Sequence, residues 1–492
     1  MSEDKKSFGQ LIKSFNSMFW LASAMELFER WAWYGMFAVL ALYLTGSTDE
    51  GCLGFTHTEK GYIMGPITAI LYLLPILTGV IADKIGYKVS LIIAYVILIV
   101  GYYSMGTFSS FWSFYFIFLL VAVGAAMFKP VASATITKST DKGNSTLGFG
   151  IFYMMVNVGG FVGPAMSSYL RTTYGWKLIF IQASVVIAIN LLIVIFFYKE
   201  PERQKTEETL GEAIVNSVKK IFEAVMDVRL TVLLIIMVGF WTMFNQLFYT
   251  LPTFIEDWVD TKLLHDQIAS FWPWLAKVMS GGGDSVNPEW LINIDAGSIV
   301  VLQAFVSFFV LKMRHVSAMI RGFIIAAIGI GITFYTSNGL FTIVGIIIFS
   351  VGEMATNPTF SSFIAIISPK GKEALYQGAY FLPVFAGNLL TTFVSGNLYQ
   401  AWSDKLSLLQ TEMGKRGIDM PQVGAEFSKN DYFKLAAEKL GMTYNEMTEM
   451  VWTTYNPNKI WYVIVGIGVF TILALSIYDY KVVRPREKRA QE

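Results

Sequence analysis

Cysteine, histidine and charge are all scarce in this chain. Its one cysteine, Cys52, rules out an intrachain disulfide. Three histidines, His57, His265 and His315, stand far apart with no ligand spacing, which argues against a metal site. Charged residues make up 15% of the chain against 54% hydrophobic, and a soluble domain needs far more charge to cover its surface. The net charge of +1 leaves no basic surplus for nucleic acid. No Gly-x-x-x-x-Gly-Lys loop occurs, which argues against a self-contained ATP-driven pump. No Ser/His/Asp set is legible, so nothing points to an enzyme, and no cofactor is implied.

What the chain has instead is long apolar runs. Those able to cross a bilayer fall at about 17–45, 60–82, 88–107, 111–137, 145–171, 175–198, 230–257, 291–312, 317–336, 340–367, 373–400 and 458–479. They are called spans 1 to 12. The expected fold is an all-α membrane protein with two six-helix halves, 1–198 and 230–492. A charged segment, 199–229, lies between them, and its apolar residues repeat at helical spacing, as in an amphipathic linker on the membrane surface. Ala22-Ser-Ala24 superficially resembles a signal-peptidase site, but the apolar run before it is short, so span 1 is expected to stay uncleaved.

Lysine and arginine concentrate on alternate loops: Lys5, Lys6 and Lys13; Lys84 and Lys88; Lys138 and Lys142; Lys312 and Arg314; Lys370 and Lys372; Arg484, Arg486, Lys488 and Arg489. The bias predicts that both termini face the cytoplasm, in a multi-pass protein of the cytoplasmic membrane. Two opposite loops are long, about 258–290 and 401–457, and the second reads as a small helical extracytoplasmic insert.

Charges inside the spans carry the chemistry. Glu26, Glu29 and Arg30 interrupt span 1. Helical spacing puts them on one face, and a charge at the bilayer centre costs roughly 3 kcal/mol or more unless it pairs or lines a polar path. Two carboxylates around one guanidinium can take up and release a proton; the plainer alternative is a structural ion pair at a helix contact. Lys129, between Phe128 and Pro130, stands nine residues before Lys138, roughly 13 Å inside span 4 at 1.5 Å per residue. It needs an anionic partner or must snorkel. Glu353 lies in Ser350-Val-Gly-Glu-Met-Ala-Thr-Asn-Pro358, where the proline frees a backbone carbonyl. Asn157 and Asn388 either meet a ligand or bond adjacent helices. Tyr34, Tyr72, Trp241 and Tyr380 either line a pocket or pack.

Six plus six spans with a central linker is the layout of the major facilitator superfamily. Gly79-Val-Ile-Ala-Asp83-Lys-Ile-Gly86-Tyr-Lys88 resembles its loop 2–3 signature, in which Asp83 and Lys88 cap helix ends and hold the inward-closed gate. Glu26-x-x-Glu29-Arg30 with Tyr34-Gly35, Phe128-Lys129-Pro130, Phe152-Tyr-Met-Met-Val-Asn157-x-Gly159 and Gly352-Glu353 with Pro358 together resemble the proton-coupled oligopeptide transporters. By that resemblance Glu26, Glu29 and Arg30 join proton to substrate movement. Arg30 and Lys129 receive a peptide carboxylate, and Glu353 and Asn157 its amino end. Tyr34, Tyr72 and Trp241 line side-chain pockets. The chain departs from the family at Trp33, usually tyrosine, and at Tyr380, usually tryptophan. It departs also at Phe37 and Asn245, which replace the arginine and acid of a salt bridge between the halves.

Asp295, near the start of span 8, aligns with a family asparagine. It is the nearest candidate for a replacement titratable link, or else a helix cap. The expected activity is proton-driven symport of di- and tripeptides by a monomer whose partners are peptides, protons and the bilayer. The alternatives are another zwitterionic metabolite, drug export by proton antiport, or a nutrient sensor.

Overall fold

The computed structural model describes residues 8–141, 144–201, 208–369, 372–424 and 426–489. Lys5, Lys6, Lys142 and Lys370 of the charge pattern, and 202–207 of the linker, lie outside the described residues. Helices account for the spans. Span 1 is Ser17–Thr45, and span 2 is a bent pair, His57–Leu73 and Pro75–Ile85, at 46°. Pro75 explains the break, because it opens the second helix without an N–H to donate back. Spans 3 to 6 are Tyr87–Met105, Phe111–Lys138, Ser145–Tyr174 and Lys177–Phe197. Span 7 runs Val228–Tyr249 and continues as Leu251–Trp258. Spans 8 to 10 are Pro288–Val310, His315–Tyr335 and Gly339–Ile367. Span 11 is Glu373–Ala379 and Phe381–Thr392, extended by a π-turn to Tyr399–Trp402, and span 12 is Ile460–Tyr478. Among the described residues ten helices are long and apolar enough to cross a membrane, and the bent pair makes an eleventh. Span 1 is long enough as well, at 29 residues, but its central charges lower its hydropathy.

Two large apolar cores form. One gathers buried residues from Met25 to Tyr198, with Tyr249 reaching in from span 7. The other runs from Ala224 to Val483 and includes the insert through Leu408, Met413, Phe433 and Met447. Small residues let the helices approach. A Cβ on Gly163 of span 5 would fall 2.6 Å from the Trp31 carbonyl oxygen and 2.7 Å from the Gly35 nitrogen of span 1.

The insert holds helices Lys405–Lys415, Lys429–Leu440 and Tyr444–Tyr455, the last two opened by capping boxes, Ser428 with Asp431 and Thr443 with Glu446. Loop 258–290 folds into two short helices, Thr261–Phe271 and Pro273–Ser280. The linker helix, Leu210–Val225, leaves Val215, Val218 and Phe222 exposed as an apolar stripe. The bundle therefore has an insert end and a linker end.

Candidate functional site

Arg30 joins the charges of span 1. Its guanidinium lies 3.5 Å from the Glu26 carboxylate, and its Nε donates to Glu29 Oε2 at 2.5 Å. All three side chains are buried, and Glu29 Oε1 has no hydrogen-bond donor. Gly159 of span 5 makes this possible, since a Cβ there would stand 2.8 Å from the Arg30 Cβ. The Arg30 guanidinium sits 5.7 Å from the centre of the Tyr34 ring, and the Lys129 ammonium 5.1 Å from that of Tyr72. Lys129 has no carboxylate within ion-pair distance among the described residues.

Tyr34 and Tyr72 face a cavity of about 240 Å³ between the halves. The two cations thus stand behind its aromatic wall. Trp241, Asn157, Asp295, Glu353 and Asn388 line it too. Glu353 Oε2 is buried without a hydrogen-bond partner among the described residues. Asp295 Oδ1 accepts from the Ser350 hydroxyl at 2.5 Å. Asn388 Oδ1 accepts from Tyr249 Oη at 2.8 Å, and Asn157 donates to the Tyr153 carbonyl at 2.9 Å. Tyr380 lies just behind the wall, hydrogen-bonded to Asn357 and edge-on to Trp241 with centroids 6.3 Å apart. One wall carries carboxylates and the other carries rings backed by cations. Such a cavity fits a ligand with both charges.

Asp295 is not a cap. The helix opens at Asn287 with Pro288 and Glu289 in its first turn, which puts Asp295 about two turns inside, on the cavity wall. Phe37 and Asn245 line the cavity as well. Phe37 meets Tyr249 of the other half edge-on at 5.7 Å, while Asn245 turns to Thr391 of its own half at 3.4 Å. An aromatic contact stands where the resemblance implied a salt bridge.

The loop 2–3 residues bond within the first half and to the linker. Asp83 accepts from Tyr87 Oη at 3.0 Å. Lys88 Nζ donates to the carbonyls of Ile195 and Tyr198 at 2.9 and 3.1 Å, capping span 6. Glu200 in turn accepts from the backbone N–H groups of Tyr87 and Lys88 at the start of span 3.

A second charged cluster joins the halves at the insert end. His57 Nε2 lies 3.4 Å from Asp404 Oδ1, and the His57 N–H donates to Gln400 at 2.6 Å. The wholly buried Lys60 donates to the Tyr249 carbonyl at 2.8 Å. Asp257 lies 3.5 Å from the Lys429 ammonium and accepts from Tyr399 Oη at 3.0 Å. Nearby, Arg171 holds Glu289 at 2.9 Å. Burial works against the Lys429 charge, but Asp257, Asp404 and Glu256 outweigh it and hold its pKa above the ordinary lysine value. His57, Asp257 and Asp404 bring possible ligand atoms within 4.8 Å of one another. Spacing along the sequence hid this grouping. Lys429 and Lys60 already supply the opposing charge there.

Residues 19–260 match the Major Facilitator Superfamily model. The fold aligns with a crystal structure of the peptide transporter POT with sulfate, at a TM-score of 0.67 and 14% identity over 96% of both chains. The chain has the major facilitator superfamily fold. A crystal structure of the nucleoside transporter NupG aligns as well, at a TM-score of 0.65 and 12% identity over 95% of this chain and 100% of that one. The shared fold therefore leaves the substrate open.

Several sequence relatives are named as peptide transporters. Dipeptide and tripeptide permease B of Aliivibrio fischeri is 29% identical over 38% of this chain and 36% of its own. Peptide transporter YePEPT of Yersinia enterocolitica is 20% identical over 80% and 89%. Most such relatives are matched over little more than a third of their length. The superfamily is one of transporters, not enzymes. Sequence reasoning missed the cavity residues Asn293, Asn357, Thr68 and Tyr153. Asn357, at an Asn-Pro step inside an apolar run, and Tyr153, inside the span 5 motif, had a visible signal; Asn293 and Thr68 had none.

Proposed function

We propose that this major facilitator is a proton-driven symporter of di- and tripeptides or similar zwitterions, working by alternating access in the cytoplasmic membrane. The observation that carries this reading is the polarity of the cavity. Asp295 and the unpartnered Glu353 lie on the second-half wall, and Arg30 and Lys129 stand behind Tyr34 and Tyr72 on the first. A zwitterion spanning that gap relieves charges that are costly to leave unpaired in a low-dielectric site. The span 1 triplet is the proton carrier, and the protein acts as a monomer with halves 1–198 and 230–492. The linker end and both termini face the cytoplasm, in keeping with the lysine and arginine bias. Cross-half bonds at the insert end fit a state closed to the outside.

Uptake of a labelled dipeptide into proteoliposomes, with and without an inward proton gradient, tests the reading. Accumulation only with the gradient is the expected result. Binding without uptake would favour a sensor, and counter-movement of protons an exporter. The polarity has its own test. Lys129→Ala should weaken free-carboxylate peptides more than C-amidated ones, and Glu353→Ala should weaken free-amine peptides more than N-acetylated ones. Equal losses for blocked and unblocked ligands would reject the assignment.

A further inference from the structure

The excursion between spans 7 and 8 carries the most exposed aromatic surface at the insert end. Phe271 is 91% exposed, and Trp272 and Trp274 are also exposed, in the run Phe271-Trp-Pro-Trp274. These side chains are not on a loose loop. The Asp260 N–H donates to the Ser337 carbonyl at 2.8 Å, the Val286 N–H to the Thr261 carbonyl at 3.1 Å, and the Asn287 N–H to the Met279 carbonyl at 2.9 Å. Leu264, Ala276 and Met279 face inward and are buried. The helices Thr261–Phe271 and Pro273–Ser280 are thereby fixed at the level where spans 8 and 10 begin. Leu340 and Phe341, exposed in the first turn of span 10, continue the outward apolar surface from that point. Polar groups sit elsewhere on the excursion, among them the exposed Lys262–Asp284 pair at 2.7 Å.

The same end of the bundle has a ring of exposed aromatics: Trp112 opening span 4, Tyr174 closing span 5, Tyr335 closing span 9 and Tyr462 near the start of span 12. Tryptophan and tyrosine collect where one side of a ring is apolar and the other is wet, at the headgroup level. The 271–274 run adds three exposed aromatics at that end. Three aromatic side chains offer roughly 600 Å², less than the ~800 Å² per partner of a stable protein interface.

We propose that residues 261–280 form an interfacial anchor, with Phe271, Trp272 and Trp274 inserted at the headgroup–acyl boundary of the leaflet at the insert end. The partner is a lipid surface, held by aromatic burial with the polar groups left in water. The proposal needs only that the chain spans a bilayer, and it stands whatever the substrate.

The single cysteine makes the test direct. On a Cys52→Ser background, a nitroxide is attached at Phe271→Cys, at Trp274→Cys and at Lys262→Cys, each in phosphatidylcholine vesicles. Collisions with oxygen, which enriches in acyl chains, are compared with those of a water-soluble nickel chelate. The expected oxygen-to-nickel ratio at 271 and 274 is about tenfold that at 262, as insertion below the headgroups requires. A ratio at both positions equal to that at 262 would overturn the anchor. So would spin–spin broadening that disappears on dilution with unlabelled protein, since a second copy would then cover the face. Should Phe271→Cys fail to fold, Trp274→Cys carries the same readout.

Discussion

The two buried charge clusters are built on opposite plans. Glu26, Glu29 and Arg30 belong to one helix and pair within two turns. His57 and Lys60 of the first half meet Asp404 and the Tyr249 carbonyl of the second only because the insert end is shut, beside an Asp257–Lys429 pair within the second half. A cluster carried on one helix keeps its partners when the halves rock, so its charge can change without breaking the fold. A cluster shared between halves is a strut: it is bonded in one arrangement and stripped in the other. In the first, a buried charge suits proton handling; in the second, it sets the relative free energy of open and closed states.

The comparison is broken hardest at Glu29, whose Oε1 is already without a donor. Glu29→Gln should abolish gradient-driven accumulation of dipeptide in proteoliposomes while counterflow exchange survives. Accumulation equal to the parent's would remove the span 1 cluster from proton coupling and leave the carboxylates of the cavity to do it.

Next in size is Asp257. Removing one member of a buried pair costs about 3–5 kcal/mol because the other charge is left uncompensated. Asp257→Ala would strand Lys429 and the Tyr399 hydroxyl. The expected outcome is a lower thermal unfolding midpoint in detergent. An unchanged midpoint would mean that the Asp257–Lys429 pair does not stabilise the insert end.

The two clusters also differ in how far the sequence exposes them. Residues three and four apart on an apolar helix are neighbours by geometry, so the Glu26–Arg30 grouping is readable from spacing alone. The spans and the amphipathic linker are readable for the same reason, through periodicity. Nothing local joins His57 to Asp404 or Lys60 to Tyr249, which are brought together by the closing of one half on the other. Asp295 shows a third situation. A carboxylate early in a span after a glycine-rich loop reads equally as a cap, and only the true start of the helix at Pro288 moves it onto the cavity wall. Asp295→Asn should therefore reduce accumulation partially, while counterflow and thermal stability stay near the parent's. Loss of all three together would return Asp295 to a structural role.

The smallest effect sharpens the account of the insert-end cluster through pH. The folded-state pKa of Lys429 lies above its ordinary value, chiefly through the carboxylates of Asp257, Asp404 and Glu256 acting against its burial. A group whose pKa is raised on folding stabilises the fold fully below its unfolded value, near 10.4 for lysine, and loses that contribution as pH rises through the folded value. The insert end should accordingly loosen only in the alkaline range. Other lysines and tyrosines titrate there too, so the informative quantity is the unfolding midpoint of the parent minus that of Lys429→Gln. This difference should be constant from neutral pH up to about 10 and shrink above it. A difference that stays constant through the alkaline range would show that Lys429 gains nothing from its carboxylates, leaving the closure of the insert end to the His57 and Lys60 contacts.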